Sequence, residues 1–225
     1  MMMKLVALVP MRHHSQRVPG KNYRLLAGKP LFHYILETLS RVPGIEQVVV
    51  DTDSSVIMEN LREHFPAVKI LERPAHLRAD DIPMNEVLLF DTSQVESEFF
   101  LQTHSTNPLL KAETISRGVA TFFEGYPEID SLFSVTRLQT RLYDQHGRAI
   151  NHDPMKLLQT QDLPPVYEEN SCLYLFSRQN LERYRSRIGK NPALFEIDPA
   201  EAWDIDEELD FYICDHLIAI EKGRS

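Results

Sequence analysis

Residues 9–24 have the side-chain types and spacing to bind a phosphate group. They include four cationic side chains and no acidic one: Arg12, Arg17, Lys21 and Arg24. Gly20 lets the backbone approach a ligand closely, and clustered cations attract polyanions. The segment is neither a Walker loop nor a dinucleotide-binding fingerprint. On spacing alone, a triphosphate site and a solvated basic turn are equally good interpretations.

A second segment that could do chemistry is acidic and lies near the end of the chain. Residues 196–210 hold eight carboxylates and no base, whereas residues 1–36 hold six cations and no acid. If residues 204–206 are extended, Asp204 and Asp206 point to one face and can share a hard cation such as Mg²⁺. The alternatives are two unrelated surface patches or a charged helix N-terminus.

An alternating pattern of strands and helices positions these segments. Apolar runs predict strands at residues 5–9, 47–50, 68–71 and 131–136 and from residue 99. Helices are predicted to begin near residues 30, 54, 83 and 111, and a last helix is predicted to bury Leu209, Ile213, Leu217 and Ile220. Such alternation indicates an α/β fold with a mostly parallel sheet, whose ligands bind at the carboxyl ends of the strands.

Composition narrows the class of protein. A chain of 225 residues with 43% hydrophobic content predicts one domain, residues 1–225. The net charge of −9 disfavours nonspecific nucleic-acid binding, and the spacing of Cys172 and Cys214 argues against a zinc site or a disulfide framework. No apolar run approaches the roughly 20 residues of a membrane span. Residues 1–4 lead directly into a predicted strand, so we expect a cytoplasmic protein without a membrane partner.

Two segments resemble the signature of one enzyme family, the acylneuraminate cytidylyltransferases or CMP-sialic acid synthetases. The first segment contains Pro10 and Arg12, Ser15, residues 19–22 (Pro-Gly-Lys-Asn) and residues 26–31. The second, residues 204–211, resembles the magnesium-binding segment of that family. The resemblance implies a three-layer, Rossmann-like nucleotidyltransferase fold. It also implies transfer of CMP from CTP to the anomeric hydroxyl of a nonulosonic (sialic-acid-like) acid, with release of pyrophosphate.

The resemblance also assigns roles to residues in the two segments. Arg12 and Lys21 would bind the phosphates of CTP, with Ser15 in the same loop, and Asn22 would read the cytosine edge. Asp204 and Asp206 would bind Mg²⁺, the implied cofactor, whereas Asp210 would stabilise the start of the last helix. We therefore take Arg12, Lys21, Asp204 and Asp206 as the catalytic set.

Further residues are assigned from weaker matches. Arg78 is the expected nucleotide-binding arginine of the loop after the third strand, whereas a surface ion pair is the competing interpretation for Arg73. Gln102 and Asn170 are the expected sugar-binding residues, although a glutamine that ends a strand could equally satisfy backbone groups. Asn170 falls in a segment resembling the strand that returns to the sheet.

Residues 138–170 carry turn signals and little helical periodicity. A stretch of this length usually has a function of its own. The family resemblance implies an arm that protrudes and is exchanged with a second subunit, and hence a homodimer. The arm lacks the Arg-Arg-Gln motif that is common in the family, and Arg141 or Lys156 are possible substitutes for its arginines.

Three alternatives stay open at this point. A ketodeoxyoctulosonate cytidylyltransferase would share the sheet and the basic loop, but it has proline where this chain has Asn22. A different nucleotide could be the donor. A non-catalytic binding protein for a nucleotide or sugar nucleotide would fit the departures at residues 13–14 and 171–172, but it has no need of the pair Asp204 and Asp206.

Overall fold

A computed structural model describes residues 4–223, so residues 1–3 and 224–225 of the expected domain lie outside it. The strands are β1 (Leu5–Leu8), β2 (Leu25–Leu26), β3 (Lys29–Pro30), β4 (Ile45–Thr52), β5 (Lys69–Glu72), β6 (Phe99–Thr103), β7 (Ser131–Leu138), β8 (Val166–Ser177) and β9 (Pro192–Glu196). The helices are α1 (Leu31–Leu39), α2 (Ser55–His64), α3 (Met84–Ser93), α4 (Ala112–Gly125), α5 (Arg178–Tyr184) and α6 (Glu208–Gly223). No helix among these residues is long and apolar enough to cross a membrane.

Seven strands form one sheet in the order β5-β4-β1-β6-β8-β7-β9, and β2 and β3 form a small antiparallel hairpin. The pairs β4/β5, β1/β4, β1/β6 and β7/β9 are parallel, whereas β8 runs antiparallel to β6 and β7. The predicted α/β fold with a mostly parallel sheet is therefore confirmed. Because Thr103 pairs with Leu173, the residues of β8 that precede Leu173 lie at the carboxyl end of β6.

Both faces of the sheet are buried, which makes three layers. Successive side chains of β1 alternate, so that Leu5 and Ala7 join one core and Val6 and Leu8 join the other. Helices α1, α2 and α4 cover the first face, and α3 and α5 cover the second. The carboxyl ends of the strands, where a ligand is expected to bind, therefore belong to a sheet that is packed on both faces.

Helix α6 packs against the β2–β3 hairpin through a face that differs from the predicted one. The buried side chains are Phe211, Cys214 and Ile218, whereas Leu209, Leu217 and Ile220 are exposed. Asp210 lies at the start of α6, where its Oδ2 accepts hydrogen bonds from the backbone N–H groups of residues 206 and 207, at 3.0 and 2.8 Å. Asp210 thus stabilises the helix start, as expected.

The segment between β7 and β8 folds on itself. Gln139 Nε2 donates to the carbonyl of Leu163 at 2.6 Å, and Arg141 Nη2 donates to the carbonyl of Leu158 at 2.6 Å. Met155 and Leu157 are almost fully exposed. The segment has the irregular structure predicted for the arm, and its exchange with a second subunit stays a prediction.

Candidate active site

The basic and acidic segments meet in one cleft of about 420 Å³ at the carboxyl edge of the sheet. Six of the predicted site residues line it: Arg12, Ser15, Lys21, Asn22, Asp204 and Asp206. The segments meet because the loop after β1 lies beside the chain that enters α6. Ile205 joins three segments here: its carbonyl accepts from Lys21 in the loop after β1, and its N–H donates to the carbonyl of Thr106, in the turn after β6, at 2.9 Å.

The cations of the loop after β1 contact carboxylates across the cleft. Lys21 Nζ donates to the carbonyl of Ile205 at 2.5 Å and lies 3.5 Å from Asp206 Oδ1. Arg17 Nη2 lies 2.6 Å from the same oxygen, and Arg12 pairs with Asp80. The Lys21 side chain is 12% exposed and the Arg17 side chain 59%. Exposed ion pairs contribute little stability, so an arriving polyphosphate can replace them.

Asn22 and Ser15 shape the loop. Asn22 is buried, and its Nδ2 donates to the carbonyl of Arg12 at 2.8 Å while its Oδ1 accepts from Ser105 Oγ at 2.8 Å. These bonds tie the loop after β1 to the turn after β6. Ser15 Oγ accepts from the Val18 N–H at 3.4 Å. The cytosine contact of Asn22 stays a prediction, and one amide N–H of this side chain remains for it.

The histidines that follow Arg12 have different environments. His13 Nδ1 lies 2.7 Å from Ser54 Oγ, its backbone N–H donates to Asp53 Oδ1 at 2.7 Å, and its ring stacks on Tyr23. Ser54 also accepts from the Ile57 N–H and so caps α2. His13 therefore fixes the loop to the start of α2, whereas His14 lines the cleft.

The two aspartates predicted to bind a metal lie side by side, in unlike surroundings. Asp204 is largely buried, burial raises its pKa above the usual value, and its Oδ1 has no hydrogen-bond partner among the described residues. Asp206 faces Arg17 and Lys21. An unpartnered carboxylate oxygen beside a second carboxylate fits a hard cation. Residues 4–223 assemble no group of three or more His, Cys, Asp or Glu ligands, so phosphates and water would supply the other ligands.

Of the two arginines that follow β5, Arg73 lines the cleft and Arg78 lies outside its lining. Arg78 Nε donates to the carbonyl of Arg73 at 2.7 Å, and its Nη2 lies 3.2 Å from Glu72. Arg73 is buried and pairs with the buried carboxylate of Asp51. The surface ion pair expected for Arg73 is therefore made by Arg78. Arg73 directly follows β5 and lies beside the end of β4. Because ligands bind at the carboxyl ends of parallel strands, this position in the sequence favours Arg73 over Arg78 as a cleft residue.

The two predicted sugar-binding residues act as supports. Gln102 is fully buried, and its Oε1 accepts a hydrogen bond from Arg187 Nη1. Asn170 accepts from Ser134 Oγ at 2.6 Å and donates to Thr136 Oγ1 at 2.9 Å. Asn170 lines a second depression, which shares Ser171 and the two aspartates with the cleft. Their contacts with a sugar stay predictions.

Arg187 and Ser171 also line the cleft. The sequence predicted neither the position of Arg187 nor the backbone conformation of Ser171. Ser171 has a φ of 59°, a left-handed conformation that favours glycine. It follows Asn170 where the register of β7 and β8 shifts. Arg187 lies between α5 and β9, two elements that the sequence pattern did not indicate.

Comparison with known proteins assigns the family. The sequence model of the family described as "Cytidylyltransferase" matches residues 6–223. The chain belongs to this cytidylyltransferase family. It is similar to the "CMP-N,N'-diacetyllegionaminic acid synthase" of Legionella pneumophila, with 27% identity over 98% of each chain. It is also similar to the "Post-translational flagellin modification protein B" of Campylobacter coli, with 26% identity over 96% of each.

Solved structures support the fold of this cytidylyltransferase. A CMP:2-keto-3-deoxy-manno-octonic acid synthetase in complex with CTP superposes with a TM-score of 0.73, at 16% identity over 97% of this chain and 99% of the other. A 4-diphosphocytidyl-2C-methyl-D-erythritol synthase superposes with a TM-score of 0.67, at 16% identity over 96% of this chain and 99% of the other. The Rossmann-like nucleotidyltransferase fold expected from the sequence is confirmed.

Proposed function

We propose that this protein transfers CMP from CTP to the anomeric hydroxyl of a nonulosonic acid and releases pyrophosphate. The observation that carries the proposal is the single cleft in which the cations of the loop after β1 face Asp204 and Asp206. The name of the Legionella pneumophila relative, a CMP-N,N'-diacetyllegionaminic acid synthase, supports both the nucleotide and the class of acceptor.

The reaction requires the cleft to position two substrates and to neutralise charge. The acceptor hydroxyl attacks the α-phosphorus, the bond to the bridging oxygen breaks, and its electron pair leaves with pyrophosphate. The hydroxyl proton passes to water. Lys21 and Arg12 bind the phosphates and compensate the charge on the leaving group, exchanging Asp206 and Asp80 for phosphate oxygens. Asn22 orients the cytosine.

Asp204 and Asp206 would hold Mg²⁺ together with the phosphates of the nucleotide. When bound there, Mg²⁺ would supply charge neutralisation at the phosphoryl oxygens and lower the pKa of an oxygen in its coordination shell. Asp204 suits this role because its buried Oδ1 lacks a partner among residues 4–223. Arg17 and Lys21 hold the Asp206 carboxylate beside it.

A homodimer and a cytoplasmic location belong to the same proposal. Exposed apolar side chains in the segment between β7 and β8, among them Met155 and Leu157, support an arm that packs on a second copy. The need for CTP supports the cytoplasm. Sedimentation equilibrium should give twice the mass of the chain, and Leu157→Asp should lower it; a monomer at micromolar concentration would contradict the dimer.

The test is pyrophosphate release from CTP with Mg²⁺ in the presence of single acids. The panel contains N-acetylneuraminate, deaminoneuraminate, N,N'-diacetyllegionaminate, pseudaminate and ketodeoxyoctulosonate, and ATP, UTP and GTP replace CTP in parallel reactions. We expect release with CTP and a nonulosonic acid. CTP that binds without turnover across the panel would contradict the proposal and favour a non-catalytic binding protein.

Ketodeoxyoctulosonate is the alternative acceptor. Two relatives named 3-deoxy-manno-octulosonate cytidylyltransferases match 81% of the chain at 25% identity. The Legionella pneumophila relative matches 98%. Asn22, where those enzymes have proline, also favours the nonulosonic acids. Preferential turnover of ketodeoxyoctulosonate would reverse this ranking.

A further inference from the structure

Two arginines of low exposure line the cleft, the buried Arg73 and the mostly buried Arg187, and their charges are balanced differently. Arg73 pairs with the buried carboxylate of Asp51. Arg187 instead donates to the neutral amide of Gln102 and lies over the ring of Tyr174, with its guanidinium carbon 3.4 Å from the ring centroid. The Glu169 carboxylate lies 3.9 Å from Arg187 Nη2, which is beyond hydrogen-bond distance. The charge of Arg187 is therefore the less compensated of the two.

The Arg187 guanidinium is buried but still has donors for a ligand. Its side chain is 16% exposed, and burial lowers its pKa below the usual value, which shows the cost of holding the charge there. A guanidinium has five N–H groups. Gln102 accepts from one of these groups, the Tyr174 ring covers one face of the guanidinium, and the residue lines the cleft. A carboxylate in the cleft would match the fork geometry and offset the cost of burial.

Hydrogen bonds fix the orientation of this arginine. Because a guanidinium only donates, the atom of Gln102 that faces Arg187 is the carbonyl oxygen. The amide nitrogen of Gln102 then donates to His104 Nε2 at 3.0 Å. His104 is partly exposed and accepts this bond as a neutral ring, and desolvation lowers its pKa to about 4. The hydrogen bonds that join His104, Gln102 and Arg187 therefore keep the same donors and acceptors at neutral pH.

Arg187 lies on the opposite side of the cleft from the phosphate-binding loop. The loop follows β1 and contacts the elements after β4, whereas Gln102 lies on β6 and Tyr174 on β8. The charges of both Lys21 and Arg187 lower the pKa of His104, so both cations lie near this ring. A nucleotide bound to the loop after β1 therefore leaves space for the acceptor sugar on the side of the cleft that β6 and β8 form.

The arm supplies no comparable cation within its own segment. Arg141 donates to the carbonyl of Leu158, at 2.6 Å, and so serves the fold of the arm. Lys156 is exposed, and neither residue lines the cleft. A sugar acid bound beside β6 and β8 therefore meets Arg187, the mostly buried arginine on that side of the cleft.

We infer that Arg187 binds the carboxylate of the acceptor sugar acid and sets the preference for acids over neutral sugars. The inference rests on the proposed cytidylyl transfer. In this arrangement Gln102, Tyr174 and His104 are positioning residues, which hold the guanidinium fork in the plane that a carboxylate needs. The sugar acid then binds with its carboxylate at Arg187, beside β8, and with its anomeric hydroxyl toward Asp204 and Asp206.

The test uses Arg187→Gln, which removes the charge, and Arg187→Lys, which keeps the charge without the fork. Arg185→Gln is the matched control, because Arg185 is exposed and pairs with Glu86 outside the cleft. Each variant is assayed with CTP and either N-acetylneuraminate or N,N'-diacetyllegionaminate, and with the methyl ester of each acid. Calorimetry in the presence of CMP measures binding of the same compounds without turnover.

We expect Arg187→Gln to raise the KM for the acid about 10- to 100-fold, as for a lost charged hydrogen bond. The KM for CTP should stay within about twofold, which also shows that the fold is intact. The wild type should prefer the acid to its ester, and Arg187→Gln should lose this preference. Arg187→Lys should retain part of it, and Arg185→Gln should behave like the wild type.

Three results would overturn the inference. An increase in the KM for CTP that equals the increase for the acid would place Arg187 at the phosphates. Equal acid-over-ester preference in the wild type and in Arg187→Gln would remove the carboxylate contact while the proposed function stands. A wild type that binds CTP but neither binds nor converts any acid would overturn the proposed function together with the inference.

Discussion

The two walls of the cleft hold their cations in opposite ways. On the wall after β1 and β4, Arg12 and Arg17 are exposed and paired with carboxylates, and the buried Arg73 is paired with Asp51. On the wall of β6 and β8, Arg187 is mostly buried and packs against an aromatic ring and a neutral amide. The cations of the first wall pair directly with carboxylates, whereas the Glu169 carboxylate lies 3.9 Å from Arg187, beyond hydrogen-bond distance.

This difference suits the two substrates of the proposed reaction. A triphosphate carries several charges and can displace weak exposed ion pairs as it binds. A sugar acid carries one carboxylate, so its recognition depends on one cation held in a fixed orientation. We therefore expect affinity to be distributed over several residues on the first wall and concentrated on one residue on the second.

The largest expected effect is at the acidic pair that both walls share. Asp206→Asn keeps the shape of the side chain but removes a proposed metal ligand, so kcat should fall by about 10²- to 10³-fold or more. Pyrophosphate release at saturating Mg²⁺ measures it. Glu208→Gln is the control, because Glu208 pairs with Arg24 outside the lining of the cleft. Wild-type rates for Asp206→Asn would contradict the metal assignment.

Lys21 and Arg17, both on the first wall, are expected to contribute unequally to CTP binding. Lys21→Ala should weaken CTP binding by about 1 to 3 kcal/mol, because this mostly buried ammonium makes charged hydrogen bonds. Arg17→Ala should weaken it by less than about 1 kcal/mol, because that side chain is 59% exposed. Calorimetry with CTP compares the two variants. Equal losses would show that burial does not decide the strength of these contacts.

Asp91 lies beside Asp51, the buried carboxylate that pairs with Arg73, and it gives a prediction about how stability depends on pH. Burial raises the pKa of Asp91, beside Asp51, well above its usual value. The folded protein then holds a proton that the unfolded chain has lost, so stability falls as pH rises from the usual pKa through the raised one. Asp91→Asn has no such proton and can still donate to Asp51.

The free energy of unfolding of Asp91→Asn should therefore exceed that of the wild type at pH 8, and the excess should shrink toward pH 4. Denaturant titrations across this range measure it. Asp81→Asn, at an exposed position, is the control. A difference that does not depend on pH would contradict a protonated Asp91.

The smallest effect is expected at the exposed ion pair of Arg12. Asp80→Asn frees the guanidinium from a competing carboxylate, and CTP binding should strengthen by less than about 1 kcal/mol. The gain should disappear at high salt, where exposed charges are screened. Calorimetry at low and high salt measures it. A loss of CTP affinity would show that Asp80 helps to position Arg12 rather than competing for it.

The first wall could be predicted from sequence because it follows general rules. Loops after parallel strands bind ligands, and the basic composition of residues 9–24 pointed to phosphate. The sequence favoured Arg78, whereas the structure has Arg73 in the lining of the cleft, because loop position alone does not show which arginine faces a buried carboxylate. The nucleotide contact of Arg78 stays a prediction. The buried face of α6 was predicted wrongly as well, because the apolar pattern alone does not show which face meets the hairpin: Phe211, Cys214 and Ile218 are buried, whereas Leu209 is exposed.

The second wall could not be predicted, because its parts are distant in sequence. Arg187, Gln102 and Tyr174 come together only when β8 inserts antiparallel beside β6. Residues 178–196 carry no motif that distinguishes Arg187 from the other arginines of the segment. The polar pair of Gln102 and His104 is visible in the sequence, and its function in orienting a cation is visible only in the structure.

The most direct test of the central claim follows CTP that is labelled at the α-phosphorus. The protein is incubated with this CTP, Mg²⁺ and N,N'-diacetyllegionaminate or N-acetylneuraminate, and the products are separated by ion exchange. The account predicts that the label moves into a CMP-sugar, with one pyrophosphate released for each sugar converted. Label that stays in CTP, or that appears as free CMP at a rate independent of the acid, would contradict it.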